Sequence, residues 1–284
     1  MRKTGTVPTP FFRSRCEEVL PWLPLTWKFS GVDAKVRVIL ARIPAPMPVR
    51  QIPKNFRSLT GRFSSGKNSR GIAFESSLER DLAVMMEFEP RILEFEEQPL
   101  HIPFRGPDGK PHIYTPDFRV AYREWNPEDG PIQKCLVEVK YREDLRKDWA
   151  ILRPSFKAAV AFAAARGWHF KILTEREIRP RCFKTVSFLV PFLREDPDPE
   201  MEAAILEAVR NHRSYTKPKI MDLTTPLQSW AWGRVLRSLW RMVAVGALRT
   251  HYLEPMTMSR QVWVRPEDSG RYLILDLPLP GLYR

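Results

Sequence analysis

The sequence predicts an α/β fold, a mixed sheet flanked by helices, followed by a smaller helical module with a two-stranded hairpin. Three observations carry that expectation. Between Ile72 and Arg179 the apolar spacing alternates between the helical and the strand period, in the order helix, strands, strand, helix, strand. Glycine- and proline-containing clusters such as Gly106-Pro107-Asp108-Gly109 punctuate that order with short connections. After an acidic, proline-bounded stretch at Pro191 to Pro199, two helical patterns and a hairpin pattern follow, the outline of a winged helix.

Each element has its own warrant. Phe74, Leu78, Leu82, Met85 and Met86 recur at helical spacing and define one apolar face, and Pro90 ends that helix. Glu75 and Glu79, four residues apart, share a side of it, whereas Glu87 is expected on a solvated face. Ile92 to Pro103 reads as one or two short strands broken at Gln98-Pro99, and Gly106 to Gly109 as a hairpin turn. His112 to Tyr122 reads as a strand carrying Pro116-Asp117, Asn126 to Pro131 as a turn, and Cys135 to Tyr141 as a compact apolar strand. A helix with an alanine-rich face runs from Phe156 to Arg166 and is capped by Gly167. Trp168 to Leu173 is a further strand, and Thr174 to Glu177 is a capping box that opens a short helix. Beyond the linker, Met201 to Arg210 is helical. Pro226 opens a helix from Leu227 to Val245, with Trp230, Leu236, Leu239, Trp240 and Val243 inward. Gly246 ends it, and Leu248 to Leu253 pairs with Gln261 to Arg265.

The charge is uneven. Residues 1–70 hold 14 Lys and Arg against Glu17, Glu18 and Asp33, so 14 minus 3, or +11, of the net +13 lies there. Pro44, Pro46, Pro48 and Pro53 exclude long helices from the same stretch. Residues 1–70 therefore read as a basic, proline-rich arm, either laid along a phosphate backbone or serving as a charged flexible linker, with 71–190 and 199–284 as the two folded parts. A pI of about 9.9 favours a polyanionic partner, nucleic acid first, because each neutralised phosphate releases counterions. Cys16, Cys135 and Cys182 form no C-x-x-C pair and the five histidines have no zinc spacing, so structural zinc and a disulfide framework are not expected. The absence of an 18-residue apolar run or a signal-peptide pattern leads to an expected cytoplasmic location with no membrane span.

The residues that carry chemistry are Pro116-Asp117 and Glu138-Val139-Lys140. With a strand period of two, Glu138 and Lys140 face one way and Val139 faces the core. A buried strand does not carry two charges on one face without pairing or solvent, because each lone charge costs several kcal/mol. Asp117 supplies a second carboxylate from a neighbouring strand, and Glu79 a third from the upstream helix. Carboxylates hold Mg²⁺, with Mn²⁺ expected to substitute, and such an ion polarises a phosphodiester and acidifies a bound water. Lysine then stabilises charge developing on the phosphoryl oxygens. The pattern is loose, and the plain alternative is a surface ion pair between Glu138 and Lys140 at a strand end.

The motifs F-E-S-S-L-E-R-D, E-F-E-P, E-E-Q-P-L, Y-T-P-D-F and V-E-V-K, between Gly71 and Arg179, together resemble the TnsA-type endonuclease subunit of heteromeric cut-and-paste transposases. The resemblance is weaker over Asp222 to Val264, where that family has a winged-helix-like domain, and does not extend to residues 1–70. It implies the restriction-endonuclease-like PD-(D/E)xK fold, and a metal-dependent DNA endonuclease that cuts the 5′ strands at transposon ends. A partner DDE transposase of the retroviral-integrase fold would cut and join the 3′ ends, and an AAA+ ATPase would contact the C-terminal domain. Carried over residue by residue, it implies Glu79, Asp117, Glu138 and Lys140 as the catalytic set, the three carboxylates as metal ligands. Some relatives carry glutamine where this chain has Glu138, which adds an anionic ligand. The proline-rich N-terminus departs from the family.

Two alternatives stay open at this level. One is a stand-alone restriction or repair nuclease of the same fold, which has no use for an ATPase dock. The other is a catalytically inactive basic DNA-binding assembly protein, against which the intact Asp117, Glu138 and Lys140 argue. In the C-terminal part Trp230 and Trp232 are two apart, so one of them is expected to be exposed beside arginines as a protein-binding hot spot, the plain alternative being that both pack under the hairpin.

Overall fold

The computed structural model describes residues 60–123, 131–212, 216–264 and 279, all within a compact unit that spans Pro46–Arg284. Residues 1–59 of the arm, all but the last residue of the Asn126 to Pro131 turn, Arg265 and Cys16 lie outside the described residues.

A four-stranded mixed sheet sits at the centre. Its strands are β3 (Ile92–Glu97), β6 (Phe118–Arg123), β7 (Ile132–Val139) and β8 (His169–Leu173), in that spatial order. The first three run antiparallel, and β8 is parallel to β7. A parallel neighbour needs a crossover, which is helix α2 (Arg142–Ala164). The strand β7 shows the period of two directly. Cys135, Val137 and Val139 enter one hydrophobic cluster and Leu136 the other. Both faces of the sheet are thus covered, which is why β7 is apolar nearly throughout. One face packs on helix α1 (Ser77–Phe88) and on helices from the C-terminal part. The other packs on α2, through Phe156, Ala159 and Ala163, and on the hairpin of β4 (Ile102–Arg105) and β5 (Pro111–Tyr114).

Several expectations are corrected. Phe74 belongs to strand β2 (Ile72–Phe74), not to the helix, and β2 pairs with β1 (Gly61–Phe63). Residues 60–70, which composition assigns to the arm, pack here: the Ser65 hydroxyl and Gly66 N–H both donate to the Glu87 carboxylate at 2.6 Å. Glu87 is therefore buried rather than solvated. The His112 to Tyr122 strand is two strands in different sheets, because Pro116 cannot donate to a ladder. Helix α2 begins at Arg142, well before the expected Phe156. Its first half is exposed and charged, with Pro154 inside, which hid the apolar period.

Helix α3 (Glu175–Ile178) has the expected capping box of Thr174 and Glu177. The stretch read as a linker instead follows helix α4 (Phe183–Leu189) with a 3₁₀ turn at Val190–Arg194, and Val186, Leu189 and Val190 are buried. Helix α5 (Pro199–Arg210), a 3₁₀ turn at Ile220–Leu223, helix α6 (Trp232–Ala244) and the pair β9 (Leu248–Thr250) and β10 (Val262–Val264) complete the described chain. Helix α6 starts at Trp232 rather than Leu227, since 224–230 are turns and a bend. Trp230 and Trp232 are both half-buried and both pack on the core, so neither is the freely exposed tryptophan expected and the alternative that both pack is favoured. A continuous hydrophobic cluster joins Leu82 and Met85 of α1 to Leu239 and Val243 of α6. Cys135 and Cys182 are free thiols. Among the described residues no helix is long and apolar enough to cross a membrane.

Candidate active site

Asp117 stands immediately before β6, at the point where Thr115-Pro116 carries the chain from the β4–β5 hairpin into the central sheet. The β6–β7 ladder ends at Phe118 paired with Val137. Past that end, the Val139 N–H donates to Asp117 Oδ2 at 2.7 Å. The side chain of Asp117 thus takes over from the backbone where the two strands diverge. That bond fixes the carboxylate against the E-x-K strand.

Glu138 and Lys140 lie on the α2 side of the sheet, as the period of two requires, and Val139 is buried on the other. Lys140 Nζ is 3.1 Å from Glu138 Oε1. Glu138 Oε2 accepts a hydrogen bond of 2.6 Å from the Tyr114 hydroxyl. Glu138 is 4% exposed, so the pair is not the surface ion pair of the plain alternative. Only the lysine reaches solvent, with its side chain about a third exposed.

Glu79 is placed by local chemistry at the start of α1. Ser76 caps that helix by accepting from the Glu79 N–H at 3.1 Å. In return the Glu79 carboxylate accepts from the Ser76 hydroxyl and the Glu75 N–H, both at 2.8 Å. This is a variant of the capping box. Glu75 precedes the cap, so the two glutamates do not share a helix face.

The electrostatics tie the four groups together. Burial, then the charge of Glu138, pushes the Asp117 carboxyl well above the usual carboxylate range, Glu79 adds to this, and Lys140 and the Val139 N–H oppose it. Glu79 is raised by burial and by Glu75, against its cap hydrogen bonds and Lys140. For Lys140 burial works against the charge, but Glu138, Asp117 and Glu79 outweigh it, so the ammonium is held more firmly than usual. Three carboxylates therefore share one cation, a charge imbalance that a hard divalent ion would relieve. Asp117 and Glu138 fit such an ion by donor type. Both Glu79 oxygens are engaged in the cap, and among the described residues no group of three or more His, Cys, Asp or Glu side chains is arranged as a metal cage.

Sequence reasoning passed over two residues. Tyr114 orients Glu138 and packs edge-on against Phe156 and Phe170. Its signal was its place three residues before Asp117 on a strand leading to the site. Gln98, read only as a break, adopts φ 43°, the one non-glycine residue with positive φ among those described. Its N–H donates to the Asp117 carbonyl at 2.8 Å, its Nε2 lies 3.4 Å from Glu75 Oε1, and its buried Oε1 has no hydrogen-bond partner among the described residues. Nothing in the local sequence announces that conformation.

Residues 89–175 match the family model of the TnsA-like endonuclease N-terminal domain. The matched span includes Tyr114, Asp117, Glu138 and Lys140 and begins after Glu79. No match was found among curated proteins. The chain thus carries a TnsA-like endonuclease domain built on a central mixed sheet, with the candidate site at one end of it.

Proposed function

We propose that this TnsA-type endonuclease hydrolyses DNA phosphodiesters with a divalent cation, Mg²⁺ or Mn²⁺, held by Asp117 and Glu138, with Glu79 as a third ligand once its carboxylate leaves the Ser76 cap. The observation that carries the reading is the convergence of Asp117 and Glu138 on Lys140, with the excess of negative charge described above. When bound, the ion supplies Lewis-acid activation of the phosphate and a more acidic water. The protein groups do the rest. The Val139 N–H and the Tyr114 hydroxyl hold the two carboxylates in place. The firmly protonated Lys140 donates to the phosphoryl oxygen on which charge develops.

The DNA is the transposon end, and this subunit cuts the 5′, non-transferred strands while a DDE transposase partner processes the 3′ strands. An AAA+ ATPase docks on residues 199–284. In support of a protein-binding rather than DNA-reading role there, two of the three arginines of α6 are already committed, while Arg237 is largely exposed and 3.8 Å from Glu195. Arg234 holds Asp198 at 2.6 Å and stacks over Trp230, and Arg241 holds Glu202 at 2.7 Å. A helix that reads bases leaves such groups free for base edges.

The test incubates the chain with Mg²⁺ or Mn²⁺ and transposon-end DNA, with and without the two partner proteins. Cleavage of the 5′ strand that disappears in chelator and in Asp117→Ala supports the reading. Cleavage of unrelated DNA at the same rate without partners would favour a stand-alone nuclease. No cleavage under any condition would favour an assembly role.

A further inference from the structure

Helix α2 begins two residues after Lys140 and carries an unusual face. At about 100° per residue, Arg142, Arg146, Arg153 and Lys157 fall within about 60° of one another around the helix axis. All four are exposed. Asp144 and Asp148 point in other directions, and only Glu143 borders the stripe. Trp149, 47% exposed, lies along the edge of this face next to the core and touches Phe156, with ring centroids 6.1 Å apart. Six arginines elsewhere in the unit, Arg70, Arg91, Arg119, Arg179, Arg234 and Arg241, each hold a carboxylate instead. The guanidinium groups of Arg142, Arg146 and Arg153 make no such bond with any described residue; the Arg142 backbone N–H alone is engaged, by Glu175 at 3.0 Å.

We propose that this face of α2 is the track on which the nuclease seats the phosphate backbone of the duplex next to the bond it cuts. The identity of the ligand rests on the nuclease reading above; the surface itself rests on charge and placement. From Arg142 to Lys157 the stripe is about 22 Å long, the axial rise of roughly six base pairs. Four cations with no carboxylate among them suit a repeating polyanion, whereas a protein partner of ordinary composition would need apolar area at the centre of the patch. Continuity settles the direction: a strand whose phosphate meets Lys140 and leaves the site along α2 meets Arg142 first, then Arg146 and Arg153. Trp149 gives the track a flat apolar wall, and Phe156, which it touches, packs against the same Tyr114 that holds Glu138.

The test uses the full chain, a fluorescent duplex carrying a transposon end, and the triple variant Arg142→Gln, Arg146→Gln, Arg153→Gln. Glutamine keeps helix propensity and length, and an unchanged thermal midpoint verifies that the fold is intact. Anisotropy titrations between about 50 and 200 mM salt should show the slope of log affinity against log salt become shallower by two to three, and affinity at the lower salt fall about tenfold or more. Single-turnover cleavage at saturating DNA should stay within about twofold, so the loss appears in binding and not in the chemical step. Asp117→Asn should bind with the wild-type slope and not cleave. A triple variant with wild-type slope and affinity would overturn the proposal, as would a wild-type chain that does not bind the duplex at low salt. Normal cleavage by Asp117→Asn would instead sink the assignment of Asp117 to the active site, and no cleavage by the wild type would sink the nuclease reading; both leave the binding result standing.

Discussion

Asp117→Asn separates the chemistry of the site from the stability of the fold. Asparagine has the same size and keeps an oxygen to accept from the Val139 N–H, the 2.7 Å bond that anchors the strand end. It removes one negative charge from a place where burial and the charge of Glu138 hold the Asp117 carboxyl well above its usual range. In the folded wild type, ionising Asp117 therefore costs free energy that the unfolded chain does not bear. The contribution of the protonated carboxyl to stability is complete below a pH of about 4, the ordinary carboxylate value, and is lost as pH rises through the raised folded value. The variant does not titrate at this position, so its advantage is absent in acid and opens as pH rises. Relief of strain at a functional site typically gives about 1 kcal/mol, or roughly 2–4 °C in the melting midpoint for a unit of this size. Divalent metal reverses the order: a ligand at ten times its Kd adds about 1.4 kcal/mol to whichever form binds it, here the wild type alone. The assay is thermal unfolding of both proteins from pH 4 to 9, with and without Mg²⁺, beside cleavage of transposon-end DNA. A variant that melts below the wild type at pH 8 in chelator would refute the strain argument. Equal Mg²⁺ shifts in the two proteins would refute the ligand assignment.

Three further outcomes are expected. Tyr114→Phe keeps the ring packing on Phe156 and Phe170 but loses the 2.6 Å bond to Glu138, so urea unfolding should show a loss of about 1.5–3 kcal/mol, the worth of a hydrogen bond to a charged group; a change within about 0.5 kcal/mol would mean that the bond is not holding the carboxylate. Mg²⁺ and Mn²⁺ should support cleavage and Ca²⁺ should not, because the larger ion binds the same oxygens with looser geometry; full activity in excess chelator would exclude the metal mechanism. Removing residues 1–60, which carry most of the +11 surplus of the first 70 residues, should weaken DNA binding more at low than at high salt, and an unchanged salt slope would make the arm a bystander.

Much of the fold was legible because periodicity is local. The apolar runs of β7 and β8, the capping box at Thr174 and Glu177, and the turn at Gly106 to Gly109 each signal themselves within a few residues. The errors have a common physical origin in long-range contacts. Glu87 looks like a surface residue on any helical wheel, and it is buried because Ser65 and Gly66, more than twenty residues earlier, donate to it. The first half of α2 shows almost no apolar stripe because Leu145 and Leu152 need only a narrow contact with the sheet, so charges dominate the pattern. Pro191 to Pro199 reads as a linker because its prolines and acids dominate, and the short apolar run just before it, Val186, Leu189 and Val190, which the shared core takes in, is too brief to show a period.

The site divides in the same way. The relation between Glu138 and Lys140 follows from a two-residue spacing on one strand, and the 3.1 Å ion pair is what that spacing provides. The place of Asp117 depends on register between strands: the carboxylate meets Val139 only because Phe118 pairs with Val137 and the ladder stops there. A one-residue slip would turn Glu138 toward the core and remove Asp117 from it at once. Tyr114 and Gln98 depend on still more, a hairpin folded over the sheet face and a left-handed backbone turn, neither of which leaves a period in the sequence. What a one-dimensional reading sees is therefore the charged pair, and what it misses is the set of groups that hold the pair still. The second set can be lost without changing any motif, so a chain that keeps Asp117, Glu138 and Lys140 but loses the Tyr114 hydroxyl would still read as a nuclease while its Glu138 carboxylate had lost its anchor.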